Sequence, residues 1–331
     1  MQTVKDENLK QTVKEYQRLF ELTRKEVAKV VVGQIDILNS LVEALISNGH
    51  CLVEGIPGIA KTLLIRALAT VTGCKFQRIQ FTPDLLPTDI IGITTYDVHK
   101  GFYTVKGPIF ANFVLGDEIN RAPPKVQSAL LESMQERQVT IGKTTYPLPN
   151  PFFVMATQNP IEQMGTYQLP EAQIDRFLYK ILMDYPNLDE EAKILHRNIS
   201  LFKFDDFNLN PVLTPEIILQ LQQDVKKIYL DPKIEKYVIK ITDATRHPDK
   251  YKLNCAKYID FGGSPRCSIG LFIAAKAHAL INGKAYVTPQ DIKSVAPNVM
   301  RHRIILSYEG QAEEVDIDKI IDEILGKVPL P

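Results

Sequence analysis

The stretch "CLVEGIPGIAKTLLIRALATVTG", Cys51 to Gly73, limits the possible folds more than any other part of the chain. A short apolar run enters a turn containing Gly55 and Gly58. An amphipathic helical pattern leaves it and stops at Gly73. A strand that feeds directly into a helix needs a crossover to reach the next strand, so this unit predicts a parallel sheet covered by helices. Three further apolar runs extend the pattern: "FQRIQF", "FVLGDE" and "PFFVMATQNP". Between them, "PPKVQSALLESMQER" starts on prolines and continues as a helix, and "QVTIGKTTYPL" alternates about a Gly-Lys turn as a hairpin does. The expected core is α/β, a parallel sheet with helices on both faces, and the first 50 residues read as helices leading into it.

Beyond Pro186 the pattern changes. "LDEEAKILHRNISLF", "TPEIILQLQQDVKKIY", "DPKIEKYVIKITDATRHP", "SPRCSIGLFIAAKAHALING" and "TPQDIKSVAPNVMRHRI" all read as helices with polar caps or proline starts, and no comparable strand follows. Two domains are expected, an α/β domain over 1–186 and an all-helical domain over 187–331.

The loop "GIPGIAKT" departs from the P-loop pattern G-x-x-x-x-G-K-[ST] only at Ala60. It lies between a strand and a helix, the context that the pattern demands. Gly55, Ile56, Pro57, Gly58, Ile59, Ala60, Lys61, Thr62 and Leu63 form the loop and the helix N-terminus, where backbone N–H groups (Pro57 has none) and the dipole favour a phosphate. Gly55 and Gly58 permit a tight turn close to the ligand. Lys61 supplies a point charge to the β- and γ-phosphates, and Thr62 a hydroxyl to Mg²⁺. Alanine adopts right-handed helical angles freely, so Ala60 is expected there, with its methyl turned away from the phosphates.

"FVLGDE" ends in Asp117 and Glu118 at the carboxyl edge of the expected sheet. By itself it reads equally as an acidic start to the next helix. With a phosphate loop upstream it reads as Asp117 holding Mg²⁺ and Glu118 polarising the attacking water. "MATQNP" ends at Gln158 and Asn159. Alone it reads first as a polar turn before Pro160, and second as an Asn placed against a γ-phosphate.

Composition removes other classes. Apolar residues at 45% support a sizeable core. Lys plus Arg and Asp plus Glu balance at 39 each, which disfavours nucleic acid or an anionic membrane as partner. The basic cluster "RHR" at Arg301 to Arg303 reads as a solvated helix face. Cys51, Cys74, Cys255 and Cys267 lack metal spacing, as do the six histidines, and suit reduced thiols. The polar N-terminus is unlike a signal peptide, and no apolar run nears the ~18 residues of a membrane span. A cytoplasmic protein is expected.

Together "GHCLVEGIPGIAKT", "RIQFTPDLLPTDIIG", "GPIFANFVLGDEINRAPPKVQSALLESMQE", "MATQNPIEQMGTYQLPEAQIDRF" and "GGSPRC" closely resemble the MoxR family of AAA+ ATPases, in the helix-2-insert clade, over nearly the whole chain. The resemblance implies a P-loop NTPase core followed by an all-helical lid, with ATP and Mg²⁺ as cofactors. It also makes alanine at position 60 usual for the loop. At matching positions it implies that Asn159 is sensor 1, that Arg176 is the arginine finger reaching a neighbouring subunit, and that Arg266 is sensor 2. "VVVGQ" begins the adenine pocket, flanked by Gly33 and Gln34, and Gln80 is a candidate for tuning Glu118. Arg121 matches the family without an assigned role. "ITTYDVHKGFYTVKG" and "VTIGKTTYPL" match hairpins that face the ring pore and touch substrate in related machines, and read equally as plain surface hairpins.

The function implied is Mg-ATP hydrolysis in a ring, expected to be a hexamer, that remodels or matures client proteins, among them proteins with von Willebrand factor A domains. The alternatives are a nucleotide-gated scaffold with little turnover and a metal-chelatase-like AAA+ motor subunit. The neutral charge disfavours a DNA-translocating relative.

Overall fold

The structure is a computed structural model and describes residues 2–56, 58–99, 101–160, 165–197 and 203–331. Pro57 of the phosphate loop and residues 161–164 of the sensor segment lie outside these, as do residues 198–202, where "LDEEAKILHRNISLF" was expected to continue as helix.

The chain begins with α1 (Gln2–Val27) and α2 (Ile35–Ile46), then enters the sheet with β1 (Cys51–Gly55), α3 (Lys61–Val71) and β2 (Phe76–Gln80). A short α4 (Pro87–Ile91) leads into the hairpin β3 (Gly92–Asp97) and β4 (Gly101–Lys106). The central strand β5 (Phe113–Asp117) is followed by α5 (Pro124–Glu136) and a second hairpin, β6 (Gln138–Ile141) with β7 (Thr144–Pro147). Then come β8 (Phe153–Gln158), α6 (Glu171–Ile174) and β9 (Tyr179–Met183).

The principal sheet has the order β2-β5-β8-β1-β9, and the pairs β2/β5, β5/β8 and β1/β8 are parallel. Strand β5 is buried throughout and β8 nearly so, which is why both read as unbroken apolar runs rather than alternating ones. The register sets Gln80 beside Asp117 and Glu54 beside Gln158, so the strand ends line one edge. A core of Leu52, Ile79, Val114, Leu130, Val154 and their neighbours fixes that edge. Both expected hairpins form. On the first, Tyr96 and Phe102 are exposed and pack edge to face at 5.1 Å.

The remaining chain is α7 (Leu188–Arg197), α8 (Pro215–Lys227), α9 (Pro232–Arg246), β10 (Ile259–Phe261), α10 (Pro265–Ile281), α11 (Pro289–Met300), β11 (Ile305–Leu306), α12 (Tyr308–Ala312) and α13 (Ile317–Lys327). Several helices start as expected, Asp231 capping α9, Ser264 α10 and Thr288 α11. One small antiparallel ribbon, β10 with β11, interrupts the helices; two- and three-residue strands carry no readable periodicity.

By backbone contacts the chain forms two compact units. One is Met1–Phe20, Leu178–Lys180 and Leu221–Pro331; the other is Glu21–Phe177 and Ile181–Gln220. In the first, the "RHR" cluster is not a solvated face. Arg301 pairs with Asp318 through two bonds of 2.8 Å and donates to Lys180 O at 2.7 Å, while buried Arg303 donates to the Leu178 carbonyl. A turn that buries arginines satisfies them with carbonyls and a carboxylate, and sequence spacing cannot reveal this. No described helix is long and apolar enough to cross a membrane.

Candidate functional site

The site grows from the end of β1. Gly58 holds φ +86, a conformation that only glycine adopts cheaply, so the loop needs it for the turn. Gly55 is required for a different reason: a Cβ there would lie 2.6 Å from Met183 O and 2.8 Å from Ile59 Cδ1. Ala60 corrects the expectation of right-handed angles. It caps α3 with φ 62 and ψ 23, in the left-handed region. The first helical residue is Lys61, so position 60 still belongs to the turn.

Lys61 Nζ donates to Gly55 O at 2.6 Å and Ile56 O at 3.1 Å, which folds its charge into the loop. Burial lowers its pKa, and the charges of Asp117 and Glu118 oppose that shift. The lysine therefore shares one field with both carboxylates. A cavity of about 400 Å³ is lined by Gly58, Ala60, Lys61, Thr62, Leu63, Arg78, Asp117, Glu118 and Asn159. The lining joins Arg78 of β2 and Asp117 of β5 to residues that follow β1 and β8, as parallel topology dictates.

The carboxylates are held closely. Asp117 Oδ1 accepts from Thr157 Oγ1 at 2.7 Å, and Asp117 Oδ2 accepts from Arg78 Nε and Nη2 at 3.0 and 2.6 Å. Glu118 follows in left-handed backbone, φ 57, with its N–H on Thr157 Oγ1 at 2.8 Å. Its Oε2 accepts from Gln80 Nε2 at 3.1 Å and pairs with Arg121 Nε at 3.0 Å. Gln80 thus contacts Glu118, the residue it is a candidate for tuning, and so does Arg121. Arg78 and Thr157 were missed. Arg78 shares a strand face with Gln80, two residues away, and Thr157 is a polar residue in an apolar run; both signals were available.

A second cavity, about 450 Å³, adjoins the loop. Val30, Val31, Val32, Ile59, Leu63 and Ile194 make it apolar, and Gln34 forms part of its wall. Gln34 Oε1 is buried without a hydrogen-bond partner among the described residues. Gly33 stands at φ +70 against Glu190, whose carboxylate carbon would lie 2.4 Å from a Cβ.

These features fit a nucleotide with a divalent cation. The apolar pocket with one orphaned acceptor suits a base bearing an amino group, and the Thr62 hydroxyl and Asp117 carboxylate are the hard oxygen donors that Mg²⁺ takes alongside phosphates. Arg176 follows α6, half-buried, with no salt bridge to a described residue. Arg266 is exposed in the first turn of α10, in the other compact unit.

Residues 50–179 match the ATPase family associated with various cellular activities (AAA), and residues 252–324 match the AAA lid domain. The chain is 47% identical to Chaperone MoxR1 of Mycobacterium tuberculosis, over 92% of this chain and 81% of that one. The chain belongs to the MoxR family of AAA+ ATPases. Protein MoxR of Methylorubrum extorquens is 32% identical, with 93% of this chain and 94% of that one covered. A solved structure of a candidate ATPase from Cytophaga hutchinsonii is 46% identical and matches over 100% of both chains with a TM-score of 0.92. The MoxR assignment agrees with the sheet, the loop and the lid region.

Proposed function

We propose that this MoxR-family chain binds and hydrolyses Mg-ATP and uses the cycle to remodel or mature partner proteins. The observation that supports it is the gathering of Lys61, Thr62, Asp117, Glu118 and Asn159 around one cavity at the sheet's carboxyl edge. In this reading the backbone of residues 55–63 cradles the phosphates, Lys61 supplies charge, and Thr62 and Asp117 hold the metal. Bound there, Mg-ATP would supply the transferable phosphoryl group and the divalent charge that offsets its phosphates. Glu118 orients and polarises the water, Asn159 positions it, and Gln34 and Gly33 border the base.

Arg176 and Arg266 act as finger and lid arginine, in a hexameric cytoplasmic ring with 1–186 as the nucleotide-binding part and 187–331 as the lid. Clients carrying von Willebrand factor A domains belong to this proposal.

Phosphate release and ATP binding test it together. Lys61→Ala loses binding. Glu118→Gln binds ATP and loses turnover, because Lys61 and Thr62 remain while the polarising carboxylate is gone. Normal turnover by Glu118→Gln would place water activation elsewhere. A scaffold with little turnover is the second reading. It is favoured by the hold of both Arg121 and Gln80 on Glu118 Oε2, and a wild-type rate no higher than that of Glu118→Gln would establish it.

A further inference from the structure

Strand β8 is apolar from 153 to 156, and the threonine that follows, Thr157, is fully buried. The register of β8 with β5 sets Ala156 beside Gly116, so the Thr157 hydroxyl arrives at the end of β5. There it donates to Asp117 Oδ1 at 2.7 Å and accepts the Glu118 N–H at 2.8 Å. Both directions are forced. An ionised carboxylate only accepts and an amide N–H only donates, so the single hydroxyl proton goes to Asp117 and a lone pair to Glu118. Burial leaves no solvent to replace either bond, and branching at Cβ restricts the rotamers by which Oγ1 could leave. The bond to Glu118 has a second effect. Glu118 stands at φ 57 and ψ 52, where a residue with a Cβ is disfavoured. Tying its N–H to β8 holds that turn and fixes where its side chain leaves the backbone. Two residues beyond Thr157, the same chain delivers Asn159 to the cavity.

We propose that Thr157 is a positioning residue whose one hydroxyl sets Asp117, Glu118 and Asn159 in a common frame. The inference rests on the roles proposed above for those three residues. Asp117 is oriented through its side chain, Glu118 through its backbone, and Asn159 through the chain it shares with Thr157. The hydroxyl therefore joins β5 to β8 at the point where the metal-site carboxylate, the water-activating carboxylate and the water-positioning amide have to act together. Thr157 itself does not line the cavity, and the loop of residues 55–63 makes no use of its hydroxyl in either bond. Loss of the hydroxyl thus falls on turnover and spares the hold on the nucleotide.

The test pairs steady-state phosphate release with calorimetric binding of a non-hydrolysable ATP analogue in chelator. Thr157→Val keeps the shape and removes the hydroxyl. Its kcat is expected to fall by roughly ten- to a hundredfold, the usual cost of losing a partner that orients site ligands, while the Kd of the analogue stays that of the wild type. Thr157→Ser keeps donor and acceptor but leaves a methyl-sized hole, and it retains most of the turnover. A role in packing alone predicts the reverse order, with Val near the wild type and Ser impaired. If Thr157→Val does not fold, Thr157→Ser and Thr157→Ala make the same comparison, since both lose the methyl and differ only in the hydroxyl. Wild-type kcat in Thr157→Val, equal kcat in the Ser and Ala variants, or a loss of analogue binding that matches the loss of turnover each overturns the proposal. Wild-type turnover no higher than that of Glu118→Gln sinks the hydrolysis reading itself, and with it the role built on it, before any Thr157 variant is compared.

Discussion

Ala60 is the residue at which the loop departs from its own pattern, and its φ of 62 gives that departure a cost. Left-handed backbone disfavours any residue with a Cβ by about 1–2 kcal/mol. Glycine at this position removes the clash and adds entropy to the unfolded chain, so the two effects partly cancel. Ala60→Gly is expected to stabilise the protein by up to about 1 kcal/mol in urea unfolding, and Ala60→Val, with branching at Cβ, to destabilise it by more. Equal midpoints for all three would mean that the loop relaxes at no cost. Lys61, Thr62 and Asp117 were readable because short motifs state them. Arg78 and Thr157 carry weaker signals, a strand face shared with Gln80 and a polar residue in an apolar run; their pairing with Asp117 itself spans 39 and 40 residues and depends on β2 and β8 flanking β5, which no local pattern states.

The strands and long helices were legible because each carries its own period. How they are pinned together was not. His50, just before β1, accepts from Val154 N at 3.0 Å through Nδ1, and its Nε2 lies 3.2 Å from Met134 O at the end of α5. One neutral imidazole thus ties helix to sheet. Burial, reinforced by the nearby Arg137 charge, holds its pKa well below the usual 6.5. The unfolded chain therefore binds a proton near pH 6.5 that the native protein refuses. Stability from this group is full above that value and declines as pH falls below it, approaching about 1.4 kcal/mol per pH unit. Urea unfolding from pH 7 to 5 should show this decline in the wild type. His50→Gln, less stable at pH 7, should show a shallower one. Parallel curves would exclude His50 as the cause.

At the scale of the whole molecule the α/β class and the helical remainder were readable, and the division of contacts was not. Leu178–Lys180 joins the compact unit of the C-terminal helices, and its carbonyls receive Arg301 and Arg303. Such long-range carbonyl pairing leaves no pattern in composition. In the proposed ring, function at this scale turns on Arg176. A trans arginine finger can be worth about 10³–10⁵ in rate. Arg176→Ala and Lys61→Ala subunits are each expected to lack ATPase activity. Verified mixed rings should regain it, because some intact pockets then meet intact fingers. Mixed rings that stay inactive would leave Arg176 acting within its own subunit or as a structural residue.

Strand β2 lets one further consequence be drawn. Its even-numbered side chains, Arg78 and Gln80, serve the carboxylates, while Ile79 between them is buried in the core. Neighbouring codons therefore face unrelated selection. A change at 79 should register as lost folding with site chemistry intact in the molecules that remain, and a change at 78 or 80 as altered chemistry in a protein of ordinary stability. Because side chains alternate along a strand, a slip of one residue against β5 would exchange the two roles at once. The pairing of β2 with β5 thus behaves as a reading frame for the site, and drift along this strand can proceed by substitution but not by shift.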